Sequence, residues 1–270
     1  MKLSEMRRAL SDAGIDDADT EARLLFSCVT GLPAHRLIGG DPVCDDPALD
    51  GLLLRRLDRV PLAYLTGEAA FYRETYRVTP DVLIPRSDTE ILVEEAIGRI
   101  PRGARFADLC CGSGCIGISV LANRPDLSCT AIDLSPAAVA LTKENAKRNG
   151  VSDRITATVA DLFALPAEIA GYDAILSNPP YISRGVIPTL SPEVQNEPAT
   201  ALDGGEDGLR FYREIARRLP DLLIPGGIAL LEIGYDQAAA VKEIFASVGA
   251  PPEILPDYGG NPRLAILTRP

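Results

Sequence analysis

Apolar positions fall into two rhythms along the chain. Up to about residue 60 the rhythm is helical. Leu3, Met6 and Leu10 recur at three- and four-residue spacing, as do Ala18, Ala22, Leu25 and Val29, and Leu49, Leu52, Leu53 and Leu57 make a third stripe. Gly14, Gly31-Leu32-Pro33 and Gly39-Gly40 punctuate these segments. The pattern predicts a small helical bundle over residues 1–61, with Arg55, Arg56 and Arg59 on a solvated helix face, a contact to an acidic partner being the alternative. From Arg105 onward short apolar runs alternate with helical stretches. Phe106–Cys111, Ser128–Asp133, Ile155–Val159, Tyr172–Ser177, Gly227–Ile233, Glu253–Pro256 and Leu264–Thr268 read as strands. Ile116–Ala122, Leu209–Leu219 and Gln237–Val248 read as helices, and so does the stretch from Ser135-Pro136 to Gly150. Such alternation predicts an α/β fold, a doubly wound and mainly parallel sheet that binds ligands at the carboxyl ends of its strands.

Between these regions, residues 62–86 read as a linker. Phe71–Val78 is aromatic and β-branched with a polar centre, which suggests a short hairpin. Ser87 followed by Glu90 has the spacing of a capping box, opening a helix that carries Ile91, Leu92, Val93, Ala96, Ile97 and Ile100. The expected organisation is a helical domain at 1–61, a hairpin linker at 62–86 and a larger domain at 87–270.

Composition narrows the function. The chain of 270 residues has 27 basic against 38 acidic side chains, a net charge of −11. That argues against sequence-independent binding to nucleic acid, which relies on Lys and Arg neutralising phosphate. No apolar run approaches the ~20 residues of a membrane span, and the charged N-terminus lacks a signal peptide's apolar core. A cytoplasmic protein is expected. The six cysteines and single histidine lack the paired spacing of a zinc site. The cysteines are expected to be reduced and to fill small packed positions, with no bound metal.

Two motifs carry chemistry. Gly112, Gly114 and Gly117 form Gly-x-Gly-x-x-Gly between a strand and a helix. Asp133 ends the next strand, where a carboxylate accepts from ribose hydroxyls. The pattern predicts nucleoside binding but does not by itself separate a dinucleotide from S-adenosylmethionine. Three features favour the methyl donor. Asp161 ends the third strand, where it suits an adenine amino group. The one histidine, His35, lies in the helical segment, so no hydride-transfer residue stands out. The third feature is the second motif, Asn178-Pro179-Pro180-Tyr181, at the end of the fourth strand. Two prolines cannot continue a ladder. The turn therefore presents the Asn178 amide, the Pro179 carbonyl and the Tyr181 ring: two acceptors beside a stacking face, a clamp for a flat group bearing NH2.

With these residues in place, the chain resembles the peptide-chain release factor glutamine N5-methyltransferases (PrmC/HemK family) over nearly its whole length. The shared segments are Pro61–Gly67, Ile84–Glu90, Asp108–Gly114, Ser177–Ile182, and Glu197-Pro198 through Ala201–Leu209. Asn-Pro-Pro-Tyr alone also occurs in adenine-N6 methyltransferases; its combination with the helical N-terminal segment and the Glu-Pro to Gly-Gly-x-Asp-Gly-Leu stretch is specific. Two departures stand out: Cys110-Cys111 where Gly-Thr is usual, and Gly260-Asn261-Pro262-Arg263 where an Asp-Arg pair is usual.

The resemblance implies a seven-stranded Rossmann-like methyltransferase sheet and a helical domain that docks the release factor. It implies a donor site built from Asp108, Cys110, Cys111, Gly112, Ser113, Gly114, Asp133, Leu134, Asp161, Leu162 and Asn178. Asn178, Pro179 and Tyr181 become the catalytic residues, and with Pro180 they hold the substrate. The expected reaction moves a methyl group from S-adenosylmethionine to the side-chain nitrogen of the Gly-Gly-Gln glutamine in class 1 release factors, leaving S-adenosylhomocysteine. Partners beyond that protein are not expected: no direct nucleic acid, no membrane, and a monomeric enzyme. The long segment 182–208 is expected to order over the substrate loop or to cover the sheet's edge. The alternatives are an adenine-N6 methyltransferase acting on DNA or RNA, which calls for a basic groove or an added recognition domain, and a non-catalytic nucleoside-binding regulator.

Overall fold

The computed structural model describes residues 1–270, and its chain divides into two compact units, Met1–Glu68 with Ser191–Asn196, and Ala69–Leu190 with Glu197–Pro270. In chain order the first elements are helices α1 (Leu3–Asp12), α2 (Ala18–Thr30), α3 (Pro47–Leu57) and α4 (Leu62–Thr66). The hairpin β1 (Glu68–Phe71) and β2 (Glu74–Arg77) follows, then α5 (Glu90–Arg99). Next come β3 (Arg105–Leu109), α6 (Cys115–Asn123), β4 (Ser128–Asp133), α7 (Pro136–Arg148), β5 (Ile155–Val159) and β6 (Tyr172–Ser177). The chain ends with α8 (Pro192–Gln195), α9 (Ala199–Leu202), α10 (Arg210–Leu222), β7 (Leu223–Glu232), α11 (Ala238–Ala246), β8 (Glu253–Pro256) and β9 (Pro262–Thr268).

In the first unit the three predicted stripes become one core. Leu3, Met6, Leu10, Ala22, Leu25, Phe26 and Leu49 are buried together. Gly31 and Gly67 end α2 and α4 in the left-handed conformation that only glycine adopts without strain. Arg55 is exposed as expected, but Arg56 and Arg59 depart from the solvated face. Arg56 is buried, with Nε 2.6 Å from Glu21 and Nη1 3.2 Å from Glu193 on α8. Arg59 also donates to Glu193 (3.2 Å). Acidic partners far away in sequence turned this face inward. Truncating a buried pair of this kind costs about 3–5 kcal/mol, because the remaining charge stays desolvated.

The second unit is organised around a seven-stranded sheet of order β5-β4-β3-β6-β7-β9-β8. Strands β3 to β7 are parallel, and β9 is antiparallel to both β7 and β8. The chain runs outward from β3 to β5 and then returns to place β6 on the other side of β3. The crevice above β3 and β6 is therefore the topological switch point, where open α/β sheets bind ligands. Alternation along each strand builds two cores. Phe106, Ala174, Leu176 and Leu230 pack with α5 and α6, while Ala107, Leu109, Ile175, Ala229 and Leu231 pack with α10 and α11. By the same alternation Asp108 and Glu232 fall on the α5–α6 face.

Two local expectations are corrected. The first strand stops at Leu109 and not at Cys111, because Cys110 takes a left-handed φ of 58° and starts the turn. Ser87 makes no capping bond: residues 87–89 form a 3-10 turn ahead of α5, and the Glu90 carboxylate accepts from the Tyr72 N–H of the hairpin (2.9 Å). Of the cysteines, Cys111, Cys115 and Cys129 fill packed positions as expected, but Cys28 is exposed on α2. All six are free thiols. No helix is long and apolar enough to cross a membrane.

Candidate active site

A cavity of about 530 Å³ opens at the carboxyl ends of β3, β4, β5 and β6. One wall is the glycine turn. Gly112 (φ 54°) and Gly114 (φ 79°) reverse the chain into α6. A Cβ on Gly114 would lie 2.7 Å from the Thr142 methyl, so that position has no room for a side chain. One on Gly117 would meet the Asp108 carboxylate at 3.0 Å, which is how closely α6 lies on β3. One on Gly112 would meet nothing within 4 Å.

Side chains from α7 and β4 fasten this turn. Asp133 accepts the Gly112 N–H on Oδ2 (2.9 Å) and the Ser135 N–H on Oδ1 (2.9 Å). Thr142 donates to the Gly112 carbonyl (3.1 Å). Asn145, fully buried, donates to the carbonyls of Ser113 (2.9 Å) and Arg77 (3.0 Å) and accepts the Arg77 N–H (2.8 Å). Burial raises the Asp133 carboxyl above its ordinary range. Asp108 is buried beneath the turn; its Oδ2 accepts the Gly117 N–H (3.0 Å) and its Oδ1 has no partner. Desolvation pushes its carboxyl up to about 7.

Asn178 and Pro180 of the second motif line the same cavity. Ser177 pairs in register with Leu109 and donates to its carbonyl (2.7 Å), which sets Asn178 beside the start of the glycine turn. Asn178 Nδ2 donates to Thr89 Oγ1 (3.2 Å), leaving Oδ1 as the acceptor available to a ligand. The turn beyond it is backed without slack. Gln237 Nε2 donates to the carbonyls of Tyr181 (2.9 Å) and Gly208 (3.2 Å). A Cβ on Gly208 (φ 74°) would lie 2.3 Å from the Tyr181 carbonyl, and one on Gly204 2.8 Å from Tyr181 Cα. The Gly-Gly-x-Asp-Gly stretch is therefore a mould for the clamp. Glu197 accepts the Ile84 N–H (3.0 Å) and pairs with Arg86, fixing another part of segment 182–208. That segment is built from α8, α9 and a bridge from Ile182 to Asp203, and its Thr200, Ala201 and Asp203 line the cavity.

Of the sequence-predicted site residues, Cys110, Cys111, Gly112, Ser113, Asp133, Leu134, Asp161, Leu162, Asn178 and Pro180 line the cavity. Asp108, Gly114, Pro179 and Tyr181 are not part of its lining. Asp161 Oδ1 accepts the Phe163 N–H (2.9 Å), and Phe163 packs edge-on to Phe211 with ring centroids 5.3 Å apart. Residues given no site role from the sequence also matter: Thr89, Arg210 and Phe211 line the cavity, and Asn145, Glu197, Glu232 and Gln237 support its walls. Only Glu232 left a usable signal, an acid at the carboxyl end of a buried apolar strand.

Fold and site together define a Rossmann-like methyltransferase with a glycine turn at the mouth of its central strands. The family model "Methyltransferase small domain" matches residues 87–202, and "PrmC N-terminal domain" matches residues 2–67. The "Release factor glutamine methyltransferase" of Moorella thermoacetica is 38% identical over 99% of this chain and 97% of its own. The protein of that name from Cereibacter sphaeroides is 41% identical over 100% and 99%. A methyltransferase structure from Pyrococcus furiosus, at 16% identity, superposes with a TM-score of 0.54 over 72% of this chain and 88% of that one, which shows the fold. The chain belongs to the release factor glutamine methyltransferase family.

The residues present fit a cationic nucleoside donor. Asp133 and Asp161 supply acceptors at the mouths of β4 and β5, and Asp108 Oδ1 is a buried carboxyl oxygen without a partner. Leu134, Leu162 and Phe163 give the same wall an apolar face.

Proposed function

We propose that this chain methylates the side-chain nitrogen of the glutamine in the Gly-Gly-Gln motif of class 1 release factors, in the cytoplasm. The observation that carries the reading is the Asn178-Pro179-Pro180-Tyr181 turn, moulded on Gly204 and Gly208, whose Asn178 and Pro180 line the same cavity as the glycine turn. S-adenosylmethionine supplies the methyl group when bound. Asp133, Asp161, Gly112 and Ser113 would hold it, with Leu134 and Leu162 supplying the apolar part of the site and the Asp108 carboxyl beneath the glycine turn.

A glutamine amide nitrogen is a weak nucleophile because its lone pair is delocalised into the carbonyl. Asn178 Oδ1 and the Pro179 carbonyl accept its two N–H bonds. They orient the nitrogen and offset the positive charge that grows on it as the methyl arrives. One of those protons leaves after transfer, so the motif needs no strong base. Tyr181 packs beside the substrate side chain. The helical segment 1–61, joined by 62–86 to the catalytic segment 87–270, receives the protein substrate; the match to "PrmC N-terminal domain" supports that role.

The test is peptide mass spectrometry of a release factor incubated with the enzyme and donor, beside an Asn178→Ala control. The expected result is one added methyl on the Gly-Gly-Gln glutamine, reduced at least about 100-fold in the control, the scale of losing one preorganised transition-state contact. Unmodified factor alongside methylated adenine in a nucleic-acid substrate would overturn the reading.

A further inference from the structure

Behind the clamp runs a polar chain that ends in a buried acid. Asn178 Nδ2 donates to Thr89 Oγ1 (3.2 Å), and Thr89 Oγ1 lies 2.6 Å from Glu232 Oε2. The Tyr181 hydroxyl donates to the other oxygen, Oε1 (3.3 Å). Thr89 and Glu232 are both buried, each 2% exposed. The link joins residues 89 and 143 positions apart in sequence.

The chain has a direction. An ionised carboxylate only accepts hydrogen bonds. The single Thr89 hydroxyl proton is therefore committed to Glu232, and only the hydroxyl lone pairs face Asn178. Against an acceptor the Asn178 amide must present NH2, which turns Oδ1 the other way, toward the ligand. A substrate amide offers N–H groups, so this is the orientation that a glutamine requires. The opposite orientation would set NH2 against NH2.

We propose that Thr89 and Glu232 are positioning residues which fix the direction of the Asn178 amide and so set its carbonyl as the acceptor for the substrate nitrogen. This rests on the reading of Asn178 as the glutamine clamp.

The device depends on charge. A protonated Glu232 can donate to Thr89, freeing the Thr89 proton to point at Asn178 and to favour the reversed amide. Burial is the first cause of a carboxyl raised to about 7. The groups facing Glu232 come from five elements. Asp88 and Thr89 precede α5, Tyr181 follows β6, and Cys115 lies on α6. Tyr212 on α10 donates to the Glu232 main-chain carbonyl (2.8 Å), Arg263 on β9 is the cation that acts on the carboxyl directly, and Arg86 acts on its partner Tyr181. Arg263 is itself paired with Asp88 (3.2 Å) and Asp257 (3.1 Å), so it offsets the burial only in part. Tyr181, Tyr212 and Cys115 are all shifted upward and stay neutral near pH 7. The working form is the ionised one, so turnover rises as pH increases through about 7.

The test uses the full-length enzyme, a release factor and S-adenosylmethionine, with Thr89→Val, Thr89→Ser and Glu232→Gln. Thr89→Val is expected to lower kcat about tenfold to 100-fold, at tenfold per 1.4 kcal/mol, with donor Kd within about threefold. Thr89→Ser keeps the hydroxyl and is expected to stay within about threefold of wild type. Glu232→Gln is expected to lower kcat and to abolish its rise between pH 6 and 8, since an amide neither ionises nor sets a direction. A second readout needs no turnover: the Asn178 side-chain NH2 resonances of the nitrogen-15-labelled enzyme should titrate near pH 7 in wild type and not in Glu232→Gln. Equal losses in Thr89→Val and Thr89→Ser, a wild-type pH profile in Glu232→Gln, or Asn178 resonances indifferent to pH would each overturn the proposal. A wild-type enzyme that leaves release factor unmodified would overturn the reading of the function instead, and the Asn178 resonances would still decide the relay.

Discussion

The two walls of the cavity each have a buried carboxylate behind them, and the two are held differently. Asp108 bonds to a main-chain N–H of α6 and leaves one oxygen unpartnered. Glu232 bonds to two side chains, Thr89 and Tyr181. Both are pushed up to about 7 by burial. A charge change at Asp108 acts on a helix that is already clamped by packing. One at Glu232 passes through a rotatable hydroxyl to a side chain on the cavity wall. The glycine wall is thus a backbone shape, and the clamp wall is a hydrogen-bond direction. Under the proposed function the first holds a ligand of fixed form, and the second discriminates donors from acceptors at one atom.

If the two walls are independent devices, substitutions should separate them. The largest effect is expected at Gly208. Its φ of 74° and the 2.3 Å approach of a Cβ to the Tyr181 carbonyl leave no place for alanine. Gly208→Ala should displace the clamp turn and cut methyl transfer by about 100-fold, since a misplacement of about 1 Å carries costs of that order. Donor affinity, measured by calorimetry, should stay within about threefold, because the glycine wall is fastened from β4 and α7. Equal loss of donor binding would show that the walls move as one.

The reverse substitution is Asn145→Ala. It removes three hydrogen bonds at a fully buried site and strands the Ser113 and Arg77 backbone groups. Chemical denaturation should report a loss of about 2–4 kcal/mol with an unchanged slope. Donor affinity should fall about tenfold, the worth of about 1.4 kcal/mol, while kcat at saturating donor holds within a few-fold. Weakened turnover with unaltered donor affinity would break the assignment of Asn145 to the donor wall.

The glycine wall was legible in the sequence and the device behind the clamp wall was not, for a physical reason. Strands buried on both faces announce themselves as apolar runs, and a tight turn needs glycine at fixed offsets. Both are local. Arg56 shows the limit: its spacing placed it on a polar face, but its partners lie 35 and 137 residues away. Thr89 is a second case. Within Ser87-Asp88-Thr89-Glu90 the sequence pointed to Ser87 and Glu90 as a capping box, and Thr89 acquires a role only when β7 brings Glu232 to it from 143 positions on. The motif residues themselves were visible; what orients them comes from other strands.

The smallest effect is expected at Cys110, the residue that starts the glycine turn. Cys110 sits at φ 58°, a left-handed conformation that costs a non-glycine residue about 1–2 kcal/mol. Glycine would relieve that strain but would also enlarge the unfolded ensemble, at about 0.4–1 kcal/mol. The two terms oppose, so Cys110→Gly should change stability by less than about 1 kcal/mol, a shift of at most about 4 °C in Tm for a protein of this size. Cys110→Val, with a β-branched side chain forced to positive φ, should be clearly less stable than either. A loss above about 2 kcal/mol in Cys110→Gly would mean that the thiol holds the turn through its packing, outweighing the backbone strain. In that case the donor wall would depend on a side chain as the clamp wall does, and the contrast between them would narrow to the charge on Glu232.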